Sequence, residues 1–345
     1  MSTERETSWP SLTAGPSAAA GPSAAAGPTT AAGSTTAAGS TTAAAPTTAI
    51  RPSLDWPGGQ LLIAGSTGRS NPVPAWLRFF NSELRLVFGR PRNLALLGVL
   101  AIAPVFFGVV LRLTISSDGN GGFPFLNQLA GNGVFLALVV LTLTVSLPLL
   151  PLSVGVVSAD AIAGEAGHGT LRGLLTVPSG RTRLLVVKYA AIMAFSLVGC
   201  LLIAAVSLIM GLILFHTGPV TLLSGTTISL PAGVLRVLVV AVYLAVAMMS
   251  LGAIGLAAST LTQHPVGAIA ALLVLTVASE ICDQLPQLSA IHSFLPTHYW
   301  LAWDGLFRSP VDWSGVGHGL MSFVIYAAIF GAIGWAKLTS ADITT

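Results

Sequence analysis

The side chains that could do chemistry in this chain gather in one place. Asp160, Glu165, Arg172, Arg181, Arg183 and Lys188 all fall within SADAIAGEAGHGTLRGLLTVPSGRTRLLVVK, residues 158–188. It is the longest polar interruption in an otherwise very apolar C-terminal region. Catalytic signatures are missing from it and from the rest of the chain. No GxxxxGK[ST] phosphate loop occurs, and Lys188 and Lys337 are the only lysines. GSTGRS at 65–70 has neither the spacing nor the lysine of such a loop. No HExxH, CxxC or GxSxG is present. No catalytic residue is therefore expected, and no cofactor bound by this chain.

Other candidate groups are scattered. Of the histidines, His292 and His298 lie close together, but two imidazoles without a third ligand rarely hold a metal, so none is expected. Cys200 and Cys282 have neither metal-ligand spacing nor a disulfide framework and read as packing residues. Glu280 is the one carboxylate expected inside a membrane span, with Asp283 one turn later. A charge at that depth is a functional candidate by default, although snorkelling to the nearby interface explains it as well. A chain of buried carboxylates, as ion-coupled carriers often have, is missing.

Composition sets the elements that must position these groups. The chain has 345 residues, 53% of them hydrophobic and 8% charged, with mean hydropathy +0.83. Soluble domains carry about 25% charged residues, so lipid solvates most of this one. The net charge of +3 and pI near 9.2 come from arginines flanking apolar spans, and topology explains them better than nucleic acid does.

Residues 1–74 read as a tail. Six near-copies of a hexapeptide fill 14–49, from AGPSAA to AAPTTA, without a large apolar side chain to bury. Disorder is expected there. No positively charged flank followed by an apolar core opens the chain, so no secretory signal is expected. From Ala75 to Arg92 the pattern turns helical. Leu77, Phe80, Leu84 and Val87 share one face, and Arg78, Asn81, Ser82 and Arg85 the other. This predicts a helix lying in the membrane interface, ended by Pro91.

Six spans follow, at about 93–113, 133–157, 184–215, 233–260, 265–283 and 314–337. The fold class is therefore all-α, a six-span membrane protein with a preceding interfacial helix. The third span would reach roughly 48 Å, longer than a hydrocarbon core of about 30 Å, so it tilts or projects near Lys188. Pro148 and Pro151 should kink the second. With the N-terminus inside, Arg78, Arg85, Arg90, Arg92, Arg172, Arg181, Arg183, Lys188 and Lys337 are cytoplasmic, and only Arg112, Arg236 and Arg308 lie outside. Both termini and the 158–183 loop are then cytoplasmic, in a multi-pass protein of the cell membrane. Residues 284–313 are too polar to span. Their Tyr299, Trp300, Trp303, Phe307 and Trp313 suit either an interfacial anchor belt or a lid over an exit path, built as a short helix pair.

The loop also carries a family resemblance. Asp160, Gly164-Glu165, Gly169-Thr170-Leu171, Leu174-Leu175, Pro178, Arg181 and Lys188 resemble the signature of ABC-2 type transporter permeases. LPTHYW at 295–300 and Ser340-Ala341-Asp342-Ile343 are similar to the family too, so the resemblance covers about 75–345. Arg172 departs from it, standing where many members are acidic. The resemblance implies a permease subunit that pairs with a second copy and binds ABC ATPase subunits, which carry the ATP and magnesium. It implies that the loop forms a coupling helix seated in the ATPase, and that the segment after span five caps the exit. Glu165, Gly169, Thr170, Leu171, Arg172, Leu174, Leu175, Pro178 and Arg181 are then the coupling residues. Glu280, Tyr299, Trp300 and Trp303 become candidates for the substrate path or outer gate.

The residues themselves allow such a lever. Thr170 can cap a short helix with Leu171, Leu174 and Leu175 on its apolar face, and Pro178-Ser179-Gly180 ends it. Glu165 needs a partner, for which Arg172, Arg181 and Arg183 are within reach. An ordinary solvated loop, and a secondary carrier, channel or non-transporting scaffold, are the competing readings.

Overall fold

The computed structural model describes residues 75–117, 132–167, 180–215, 217–262 and 264–340. The expected tail and the whole of the expected coupling helix, residues 169–177, lie outside them. Among the described residues the architecture is helical. Helix α1 (Ala75–Gly89) is followed by α2 (Pro91–Ser117), where proline occupies the first helical position and needs no amide partner. The second span is broken. Its halves, α3 (Val134–Ser146) and α4 (Leu149–Asp160), meet at a 54° bend around Leu147 and Pro148. Pro148 lacks the amide needed to continue α3. Pro151 is accommodated in the first turn of α4, where amides have no helical acceptor.

A one-turn helix α5 (Ala163–Gly167) follows α4. The third span, α6 (Arg181–Leu214), has 34 residues. Then come a hairpin of two-residue strands, β1 (Val220–Thr221) and β2 (Thr227–Ile228), and three more spans: α7 (Leu230–Leu261), α8 (Pro265–Asp283) and α10 (Trp313–Ser340). Between the last two lie a 3-10 turn (Pro286–Leu288), the short α9 (Ser289–His292) and a 3-10 helix (Ala302–Phe307). The hairpin was not expected. Its strands have no alternating run long enough to register in sequence, and Gly225, at φ +82°, supplies the turn.

Helix α7 is the axis of the bundle. Its most apolar stretch is 72% buried, against 17% for α2 and α10. Helices in lipid gain little from hydrophobic exclusion and associate by close packing, which small residues permit. Gly252 and Gly255 of α7 supply this: a Cβ on Gly252 would stand 2.6 Å from Ile192, and one on Gly255 would stand 2.0 Å from Ser158 Oγ. Another close approach is backbone to backbone. A Cβ on Gly211 of α6 would lie 2.1 Å from the Gly133 carbonyl oxygen, and the converse holds for Gly133.

The interfacial helix meets the bundle along a face that includes a carboxylate. Phe79, Glu83, Val87 and Phe88 face the bundle, while Leu77 and Leu86 are exposed. Glu83 finds its partner, Lys188, inside the bundle.

Replacing Gly211 with Ala should destabilise the protein by about 1–3 kcal/mol, because neither crossing backbone can yield to the added methyl. Gly331→Ala, where a Cβ meets nothing within 4 Å, should be neutral or slightly stabilising. Thermal unfolding of the two variants in detergent distinguishes them.

Candidate coupling site

The site is the pair of chain ends that carry the 168–179 loop. On the entering side, α4 ends and α5 begins around one hydroxyl. Ser259 Oγ of α7 accepts hydrogen bonds from the amides of Ile162 (3.1 Å) and Ala163 (2.8 Å) and donates to the carbonyl of Ala159 (2.6 Å). A helix end and a helix start, which would otherwise leave polar groups orphaned, are both satisfied by one buried serine.

Glu165 then reaches Lys188. The ammonium of Lys188 lies 2.5 Å from Glu165 Oε1 and 3.6 Å from Glu83 Oε2. Its side chain is 4% exposed. Lys188 is a partner that sequence reasoning did not offer for Glu165, for which Arg172, Arg181 or Arg183 was expected. Arg172 lies outside the described residues. Arg183 stands over the Phe79 ring, 5.8 Å from its centroid. Arg181 turns away to donate to the carbonyls of Leu338 (3.2 Å) and Thr339 (3.0 Å), in the last turn of α10. Cations are favoured at a helix C-terminus, so this contact ties the exit of the loop to the last span. Trp335 Nε1 adds a 3.0 Å hydrogen bond to Thr182 Oγ1.

A second ionic node lies beside the first. Asp160, at the end of α4, pairs with Arg90 and with Arg92 Nη2 at 3.0 Å. An open cleft of about 590 Å³ borders it, lined by Arg90, Arg92, Asp160, Gly164 and Glu165 among others. Of the coupling residues named from sequence, Glu165 and Arg181 thus flank the loop. Gly169, Thr170, Leu171, Arg172, Leu174, Leu175 and Pro178 lie outside the described residues. Glu83 and Ser259 escaped sequence reasoning. Glu83 sits among residues assigned to a polar or apolar face, and its single acidic charge in α1 was the available signal. A serine in a span carries no such signal.

The other candidates lie at the opposite end of the bundle and do not join this site. Glu280 is half-buried on α8, one turn before Asp283. Tyr299 is half-buried, and its carbonyl accepts a 2.5 Å hydrogen bond from the Tyr243 hydroxyl of α7. Trp300, 1% exposed, and Phe307 are core residues, so the anchor-belt reading fails for them, while Trp313 is 65% exposed. Trp303 packs edge-on against Phe307. Arg236 of α7 donates to the carbonyls of Leu306 (2.9 Å) and Arg308 (3.0 Å), and the Leu223 amide of the hairpin donates to the Phe307 carbonyl. The 284–313 segment is thereby seated on the hairpin and on α7. Asp312 caps α10 through the Ser314 amide, which holds its carboxyl below the usual range.

A broken second span, long apolar helices and two polar ends define a multi-pass membrane protein. Residues 32–292 match the family described as ABC-2 family transporter protein, and the chain belongs to that family. It is a membrane permease component of an ABC-2 type transporter. The match contains the 158–188 loop and ends before LPTHYW and α10. Among curated proteins none matches the chain.

Lys188→Met removes the cation that Glu83 and Glu165 share and should cost about 3–5 kcal/mol. Neutralising all three, with Glu83→Gln and Glu165→Gln added, should recover most of that loss. Thermal unfolding of the single and triple variants reads both effects.

Proposed function

We propose that this chain is the membrane subunit of an exporter driven by ATP hydrolysed on a separate ABC ATPase subunit, working with a second permease copy. The observation that carries this reading is the anchoring of the 168–179 loop. Its entry is fixed through Glu165 to Lys188 and Glu83, and its exit through Arg181 to α10. A segment held at both ends by different helices suits a lever that a partner presses, with residues 169–177 as the coupling helix.

The orientation proposed has this end in the cytoplasm. Arg90, Arg92, Arg181, Arg183, Lys188 and Lys337 all gather there, and Arg236 and Arg308 lie at the other end. The ATP and magnesium belong to the partner. The cargo proposed is hydrophobic or amphipathic, such as a drug, antibiotic or lipid. In support, an apolar cleft of about 290 Å³ opens beside the broken span, lined by Phe135, Leu138, Leu143 and Trp303 among others.

The test uses the chain purified with its ATPase and reconstituted in vesicles. Glu165→Gln, nearly isosteric, should leave basal ATP hydrolysis in place and lower export about tenfold, equivalent to about 1.4 kcal/mol of lost coupling. Failure of any ATPase to co-purify, together with unchanged export by Glu165→Gln, defeats the proposal. Transport that follows an ion gradient without ATP points to a secondary carrier instead.

A further inference from the structure

At the end of the bundle away from Lys188, three ligand-bearing side chains converge. Asp283 closes α8, His292 closes α9, and His298 lies in the turn beyond it. One ligand atom from each lies within 4.8 Å of the others. The third ligand that the two histidines lack in sequence is thus supplied by the neighbouring span.

Hydrogen bonding fixes how His292 is presented to the cluster. Its Nε2 lies 3.1 Å from the Leu285 carbonyl oxygen, which can only accept, so Nε2 carries the hydrogen. In the neutral ring Nδ1 is then a bare lone pair. That lone pair faces Asp283 Oδ1 at 3.9 Å, another acceptor. His298 Nδ1 is 2.5 Å from the same carboxylate oxygen. A cation seated between the two acceptors satisfies both, as a proton on Nδ1 also would. A backbone carbonyl holding the far nitrogen is also the arrangement that orients metal-ligating histidines.

We propose that Asp283, His292 and His298 bind one divalent transition-metal ion of the zinc class, with the remaining position open to water. Two imidazoles and a carboxylate suit zinc rather than magnesium or calcium. Tetrahedral zinc with ligands at about 2.1 Å needs ligand atoms about 3.4 Å apart, so shifts of under about 1 Å suffice. The three side chains are 19–29% exposed, which leaves them reachable from solution. The ion staples the 284–298 segment to the end of α8. His298 packs its ring edge-on against Tyr299, with centroids 4.7 Å apart, so the staple extends to the residue that α7 holds through Tyr243.

The experiment takes the full chain in detergent, stripped by a chelator, and titrates zinc chloride against a fluorescent zinc indicator. One zinc per chain is expected, undisturbed by magnesium in excess. His292→Ala, His298→Ala and Asp283→Asn should each abolish it, while His318→Ala, whose ring lies outside the cluster, should retain it. Saturable binding that survives His298→Ala, or no saturable binding by the parent chain, overturns the proposal. X-ray absorption of the zinc-loaded parent chain decides the ligand set even where a variant does not fold. Nitrogen and oxygen neighbours support the site, and a sulfur neighbour, from the adjacent Cys282, refutes it.

Discussion

A lysine ammonium taken out of water inside a membrane bundle must find its counter-charges within the protein, and at Lys188 that requirement fixes three segments at once. Glu83 comes from the interfacial helix, Glu165 from the turn after span two, and Lys188 from span three. Removing an ion pair whole from a buried position often costs little, whereas removing one member is severe. The triad therefore acts less as a source of stability than as a register device. The three charges are satisfied together only in the register that brings the three segments to one point. The Asp160 node with Arg90 and Arg92 repeats this logic at the junction of α1 and α2 with α4.

Around that constraint the bundle closes by removing side chains rather than adding them. Gly133 and Gly211 bring two backbones together, and Gly252 and Gly255 let α6 and α4 approach the central α7. The opposite end is held differently, by hydrogen bonds to backbone carbonyls from Arg236, Tyr243 and the hairpin. One end is thus ionic and encloses a loop entry and exit. The other is a lattice of main-chain contacts.

The helical class, the spans and the break near Pro148 were legible because each follows from local chemistry: runs of apolar residues, and a proline without an amide. Partner choice was not. Sequence proximity points Glu165 toward nearby arginines and gives no sign of Lys188, while Arg183 packs on Phe79 and Arg181 reaches the end of α10. In sequence Lys188 reads as a topological marker, because its burial depends on Glu83 and Glu165 from two other segments. Trp300 and Phe307 looked like residues for the water–lipid boundary because composition cannot tell an aromatic residue facing lipid from one facing protein. Asp283 became a third ligand only when the turn after α8 brought both histidines back to it.

The break in span two carries one more implication. Pro148 offers no hydrogen to the carbonyl of Thr144, and the neighbouring Leu147 is 50% exposed. Acyl chains cannot satisfy loosened backbone at that depth. The face of the protein at Ser146 and Leu147 is thus suited to water or to another protein surface rather than to acyl chains.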